Sequence, residues 1–343
     1  MDQRNLTAVF VLYAFNEERF IHEAVASALA QSYSPLEIVL SDDGSTDRTY
    51  EIMQEMAASY RGPHKIILNR NERNIGIGSQ LNAAYQKSQG ELILLANGDD
   101  ISLPERTARV VEAWLASNRK AQAITCNLAT MDENGRRLPS IMNAETRCQD
   151  LEDGMRKRFG GVLAASLAIT RDVFERFGPL LPTLILEDNP LYLRATLLGE
   201  RIHLQEAYVL YRIHMGNISQ AYSLENFSDW RKRQRQKLVW HRQEGVKAYL
   251  QMLIDLHSRP AEDWPTRDLR RARSVGIEKL MENAILRDYY ANDDSVSRAD
   301  WCRCLSRTGW LLIKLSLKAR LPFIEKRNDR WHYQKLLEGS EQK

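Results

Sequence analysis

Residues 37–47 read Glu37-Ile38-Val39-Leu40-Ser41-Asp42-Asp43-Gly44-Ser45-Thr46-Asp47. An apolar, β-branched run that ends in carboxylates and turn formers marks a buried strand. Such a strand delivers polar groups to the C-terminal edge of an open α/β sheet, where ligands bind. A second run of this kind, Asn97-Gly98-Asp99-Asp100, follows the stretch Glu91 to Leu95. Two acidic clusters at two strand ends point to a nucleotide and a divalent metal, because hard carboxylate oxygens suit Mg2+ or Mn2+ and ribose hydroxyls.

Outward from these runs the same unit repeats. Thr7 to Tyr13 is apolar and β-branched, followed by Asn16-Glu17-Glu18 and a helical pattern through Ile21, Val25, Ala28 and Leu29. The strand at 37–40 leads to a helix over about Thr46 to Tyr60. Lys65 to Leu68 leads to a helix over Gly78 to Ser88, and Glu91 to Leu95 to a helix opened by Pro104. Strands alternating with helices of this length require right-handed crossovers and predict an α/β fold with a doubly wound, mainly parallel sheet. Ala123 to Met131 is a further strand, and Asn134-Gly135 after it signals a hairpin. Gly161 to Thr170 reads as a strand, Asp188 to Leu198 as a helix, and Arg201 to Ile213 as extended chain. Beyond Ser219 the pattern is helical, broken at Pro260 and Pro265. The expected division is a domain over 1–220 and a helical, basic C-terminal extension over 221–343.

Composition sets the outer bounds. The 343 residues are 43% hydrophobic and 27% charged, with a formal charge of +3, so no global field favours nucleic acid. Residues 301–343 are different, with ten Lys or Arg against four Asp or Glu. Four scattered cysteines do not make a disulfide framework and fit a reducing compartment. Cys302-Arg303-Cys304 lacks zinc-site spacing and reads as ordinary helix. The N-terminal residues lack an apolar signal core, and no run reaches the roughly 18 apolar residues of a spanning helix. The chain is therefore expected in the cytoplasm, either free or peripheral on the inner face of the cytoplasmic membrane.

Each candidate residue has a plain structural alternative. Asp43 can accept the imide N–H of uracil, or it can simply shape a turn. Phe15, at the end of the first strand, can stack on a base or belong to the core. Asp99 and Asp100 can bind a metal or cap the helix ahead of Pro104, and Glu187-Asp188 can favour a helix dipole. A lone His214 is ordinarily structural. The basic run Arg231 to Lys237 is a solvated helix face or a contact for anionic lipid or acceptor. Trp310 to Lys318 is amphipathic, suited either to packing on the domain or to a membrane interface. Gly76-Ile77-Gly78 is superficially similar to a dinucleotide phosphate loop, but Leu81 stands where the third glycine belongs and the first strand does not precede it.

In order and spacing the chain resembles the family 2 glycosyltransferases of the GT-A fold. The resemblance is carried by Tyr13-Ala14-Phe15-Asn16-Glu17, Ser27 to Ser32, Glu37 to Asp47, Asn71 to Gly76, Gly90-Glu91, Asn97-Gly98-Asp99-Asp100, Glu187-Asp188 with Arg194, and Tyr211 to His214. It implies an inverting, metal-dependent hexosyltransferase that moves a sugar from a nucleoside-diphosphate donor, by default a UDP-sugar, to a glycan or lipid-linked acceptor in cell-envelope polysaccharide synthesis. On the same ground Tyr13, Phe15, Asn16, Glu17, Asp43, Arg73, Asn97 and Asp99 would hold the donor. Asp99, Asp100 and His214 would hold Mn2+ or Mg2+, Asp188 would be the catalytic base, and Arg212 would help to stabilise the leaving diphosphate. Two positions depart from the family: Asn97 replaces a usual aspartate and Tyr13 a usual proline. Asn97 leaves open an alternative, a degenerate transferase that binds nucleotide or glycan as an assembly partner.

Overall fold

The computed structural model describes residues 8–144, 148–159, 162–214, 227–258 and 264–291. Among the described residues nine strands form one sheet: β1 Ala8–Ala14, β2 Leu36–Asp42, β3 Lys65–Arg70, β4 Leu92–Asn97, β5 Ile101–Ser102, β6 Ala121–Asp132, β7 Arg137–Met142, β8 Ala168–Thr170 and β9 Glu200–Ile213. The helices are α1 Ile21–Leu29, α2 Thr49–Ser59, α3 Ile77–Lys87, α4 Arg106–Ala116, α5 Leu151–Lys157, α6 Asp172–Phe177, α7 Asp188–Leu198, α8 Phe227–Ser258 and α9 Thr266–Ala291.

The strand order is β3-β2-β1-β4-β8-β6-β9-β5, with β7 paired to β6. Its first four members are parallel, each following strand joined by a crossover helix. Every residue of β1 and β2 is buried, as a parallel sheet covered on both faces demands. One face of the core runs through Phe10, Leu12, Ile38, Leu40, Leu92 and Leu94, against Ile21, Ala24, Val25 and Ala28 of α1. Those four α1 residues fall at the i, i+3, i+4, i+7 spacing of an amphipathic helix. The expected α/β architecture is thus present, with antiparallel joints at β4–β8, β8–β6 and β9–β5.

The expected strand over 161–170 shrinks to Ala168–Thr170, while Ala164–Ser166 forms a 3-10 turn in which Ser166 N–H donates to the Leu163 carbonyl at 2.9 Å. The apolar run there is buried by packing rather than by a strand ladder. The hairpin at Asn134-Gly135 forms, Gly135 taking φ 79°.

Two compact units divide the chain: residues 1–214 with 247–276, and residues 215–246 with 277–343. Residues 247–276, beyond the expected boundary at 220, cluster with the first unit for a visible reason. Asp255 of α8 makes a fully buried ion pair with Arg194 of α7 at 2.8 Å, and Gln251 Oε1 accepts the Leu181 N–H at 2.7 Å. Within the second unit Arg242 donates to Asn283 Oδ1 at 3.3 Å. The side chains of 231–235, and the whole of 301–343 with Cys302, Cys304 and Trp310 to Lys318, lie outside the described residues.

Candidate active site

The parallel strands end together. Tyr13 of β1 is level with Ser41 of β2 on one side and Asn97 of β4 on the other. The segments that follow, Phe15 to Glu17, Asp43 to Asp47 and Gly98 to Asp100, therefore leave the sheet side by side at its C-terminal edge. Two glycines allow this convergence. At Gly44, with φ +71°, a Cβ would sit 2.6 Å from the backbone of Arg73, and at Gly98 it would meet Ala14 Cβ at 2.5 Å.

The first cluster is a lattice of hydrogen bonds between segments. Asn16, at φ 56°, accepts the Thr46 N–H on Oδ1 at 2.9 Å, and its own N–H donates to Ser45 Oγ at 2.9 Å. The N–H of Glu17 donates to Thr49 Oγ1 at 2.7 Å. Asp43, 2% exposed, accepts from Asn71 Nδ2 at 2.7 Å and from the N–H groups of Ile75 and Gly76 at 3.1 and 2.8 Å. Its carboxylate pins the loop that carries the exposed Arg73, and these bonds take three of its roughly four acceptor positions. Asp42 is fully buried, accepting the Ser45 N–H on Oδ2 at 3.1 Å while Oδ1 lacks a partner. Phe15 is 40% exposed at the rim, which excludes the core alternative for it.

The second cluster is built around Arg212. This arginine is 1% exposed, and its Nη2 bonds Glu23 Oε2 at 2.6 Å, its Nε the Asp99 carbonyl at 2.8 Å and its Nη1 the Glu133 carbonyl at 3.3 Å. The guanidinium lies 4.7 Å from the centre of the Phe20 ring. Arg212 thus braces the 99–100 turn, a role its sequence context did not indicate. Its backbone N–H donates to Asp100 Oδ1 at 2.9 Å, and Asn97 Nδ2 donates to Asp100 Oδ2 at 3.0 Å. Burial and the neighbouring Asp99 push the Asp100 carboxyl well above the usual carboxylate range. Asp99 Oδ2 meets His214 Nε2 at 3.0 Å, the imidazole packing against Phe20. Burial, with Asp99 and Asp47 nearby, lifts Glu17 to about 8 against the opposing pull of Arg212.

Asp99 and His214 offer a hard oxygen and an imidazole nitrogen from two separate segments, a donor set that suits Mn2+ or Mg2+ completed by diphosphate oxygens. Among the described residues no group of three or more His, Cys, Asp or Glu side chains is placed to hold a metal by itself.

The third cluster comes from α7. Asp188 is its first residue, half-buried, with Oδ1 accepting the Asn189 N–H at 2.8 Å. Burial lifts its carboxyl to about 6, Arg158 holding it lower than burial alone would. Glu187 is buried, and desolvation together with Asp188 raises it to about 8. Its Oε1 accepts the hydroxyl of Tyr13 at 2.8 Å, a bond spanning 174 positions of sequence. Tyr13 is itself only 5% exposed. Arg194 packs away from this cluster against Asp255 and the Gly178 carbonyl.

Residues 9–176 match the sequence profile of Glycosyl transferase family 2. The chain carries a family 2 glycosyltransferase domain. An uncharacterized glycosyltransferase of Nostoc sp. is 28% identical over 214 residues, covering 60% of this chain and 65% of that protein. The putative glycosyltransferase EpsE of Bacillus subtilis is 34% identical over 135 residues, 38% of this chain and 48% of that protein. The match to this glycosyltransferase domain thus spans less than two thirds of either relative's length. In fold the chain is similar to residues 1–349 of Staphylococcus aureus TarS, crystallised in complex with UDP-GlcNAc, with a TM-score of 0.50 at 18% identity over 85% of this chain and 93% of that one. The GT-A fold expected from the sequence is the fold observed.

Proposed function

We propose that this chain is an inverting glycosyltransferase that moves a sugar from a nucleoside-diphosphate donor, a UDP-sugar, to a hydroxyl of a glycan or lipid-linked acceptor. The observation that carries this reading is the meeting of two polar clusters at adjacent parallel strand ends with a separate, ionisable Asp188 at the start of α7. Phe15 stacks on the base, and Asp43 takes its imide N–H on the acceptor position left by the 71–76 loop. Asn16, Glu17 and Asn97 shape the floor, Arg73 lies on the loop above it, and Tyr13 backs the pocket. The UDP-GlcNAc bound by TarS and the glycosyltransferase relatives support a nucleotide-sugar donor.

Asp99 and His214, steadied by Asp100, would hold a divalent cation, which when bound supplies charge neutralisation at the leaving diphosphate. Asp188 takes the acceptor hydroxyl proton as that oxygen attacks the anomeric carbon, on the face opposite the departing diphosphate. The catalytic work falls to the domain over 1–220, and the helical, basic region over 221–343 serves as an extension that brings the crevice to a membrane surface. Attachment there would be peripheral and electrostatic, through the basic residues of 301–343; among the described residues no helix is long and apolar enough to cross a membrane.

Asn97, a neutral amide where the family usually has an aspartate, favours a second reading, a degenerate transferase that binds nucleotide or glycan as an assembly partner. Thermal-shift titration with UDP-GlcNAc, other UDP-sugars and GDP-mannose, each with and without Mn2+, followed by assay of nucleoside diphosphate release, separates the two. Metal-dependent stabilisation with release supports the enzyme, and stabilisation without release supports the binding module.

A further inference from the structure

We propose that Tyr13 and Glu187 are positioning residues for Asp188, a buried hydrogen-bonded pair that ties the donor end of β1 to the first turn of α7 and fixes the orientation of the Asp188 carboxylate. The inference rests on the reading of Asp188 as the base and adds two residues to it.

Three features carry it. Tyr13 is the penultimate residue of β1, just before Ala14 and Phe15, yet its hydroxyl reaches past the strand end to Glu187 Oε1 at 2.8 Å. Both side chains are buried, at 5% and 3% exposure, so the bond is shielded from competition with water. Glu187 immediately precedes Asp188, so anchoring the Glu187 side chain on β1 helps to hold the backbone from which the Asp188 carboxylate projects. A tyrosine is long enough to span this gap and presents a donor at its tip, whereas a proline at position 13 would have neither.

The charges agree with this arrangement. Asp188 is faced by Glu187 beside it, by Tyr13 from β1 with Asp100 behind, and by the Arg158 cation from the turn after α5. Burial and their mutual repulsion lift both carboxyls, so the pair loses its two protons in separate steps and near neutral pH carries about one negative charge between them. The Tyr13 hydroxyl donates to Glu187 Oε1, a bond that favours the ionised form of Glu187. Above about pH 8, ionised Glu187 places a second negative charge beside the base.

The test is a carboxyl-carbon NMR titration of the full chain labelled at aspartate Cγ, with the Asp188 signal identified by its loss in Asp188→Asn. The wild-type signal is expected to titrate near 6 and to show a second, smaller step near 8 as Glu187 ionises. Glu187→Gln removes the second step. Tyr13→Phe moves it up by about 0.5 to 1 pH unit, since a lost hydrogen bond disfavours the charged carboxyl. In a release assay with UDP-GlcNAc and water as acceptor, Tyr13→Phe lowers kcat by about 10-fold and Glu187→Ala by more, with Glu187→Gln recovering most of the loss. UDP affinity by calorimetry falls by a smaller factor than kcat in Tyr13→Phe, whose ring still backs the pocket. A wild-type Asp188 signal with one step, or a Tyr13→Phe protein that weakens UDP binding while Asp188 titrates as in wild type, overturns the proposal. Wild-type turnover by Asp188→Asn instead overturns the base assignment, and leaves the coupling to be judged from the titration.

Discussion

Asp188 and Asn97 show how a single side chain takes its chemistry from its surroundings. Asp188 opens α7 with a carboxyl lifted to about 6 by burial, so as the proposed base it would be largely ionised at neutral pH yet basic enough to accept a proton in the transition state. Asp188→Asn is expected to lower the transfer rate by about 10²- to 10⁴-fold with donor affinity retained, measured by calorimetry beside turnover. In the wild-type enzyme, kcat should rise with pH through about 6 as the base loses its proton. At position 97 the amide does what a carboxylate could not, donating to buried Asp100 at 3.0 Å. Asn97→Asp would put a further acidic group against Asp99 and Asp100, and without metal it should reduce stability in urea by about 1 to 3 kcal/mol at pH 8, with a smaller loss at pH 5.5. Equal losses at both pH values would show that charge is not the cause. The residue types at 43, 99 and 188 were legible because chemistry constrains them. The partners of Arg212 and Glu187 were not, since each lies 79 or more positions away.

At the scale of elements, strong periodicity was readable and weak or tertiary-dependent structure was not. β1, β2 and α7 lie close to where apolar runs and first-turn acids place them. β8 is shorter than its apolar run, because only three of those residues find partners on β4 and β6. Helices α5 and α6, of seven and six residues, left no amphipathic period long enough to read, although Asp150 caps α5 by accepting the Asp153 N–H at 2.7 Å. The join of α7 to α8 through Arg194 and Asp255 gives a clear expectation, since both side chains are fully buried. Arg194→Met leaves Asp255 unpaired and should cost about 3 to 5 kcal/mol in urea unfolding. Replacing both, with Arg194→Met and Asp255→Leu, should recover most of that loss, because a buried ion pair is costly to break and inexpensive to replace with packed apolar groups.

Over the whole molecule, the site stores acidic strain. Glu17 and Glu187 lie near 8 and Asp188 near 6, all above the values near 4 expected of the unfolded chain. Between those limits the folded protein binds more protons than the unfolded one at these groups, so their contribution to stability is greatest below about pH 4 and falls as pH rises to about 8. The melting temperature without metal should therefore drop from pH 5.5 to 8.5. Mn2+ at 100 times its dissociation constant should restore about 2.7 kcal/mol at pH 8 if Asp99 and His214 bind it. A melting temperature indifferent to pH, or to Mn2+, would count against that site. The basic segment over 301–343 belongs to this scale as well. Flotation with anionic vesicles at low and high salt should carry the full chain and leave a chain truncated after Asp300 behind, each basic residue near the surface contributing about 1 kcal/mol. Equal failure of both to float would assign the tail to packing. The sequence by itself determined the alternating strands and helices, the parallel sheet and the acidic strand ends, because hydrophobic period and turn chemistry are local properties of the chain. Only the tertiary structure decided that Arg212 braces Asp99 and Asp100, that Tyr13 reaches Glu187, and that residues 247–276 join the first unit. Those pairings join segments far apart in sequence, where burial strengthens hydrogen bonds and raises carboxyl pKa values, and no local pattern records which distant group will be the partner.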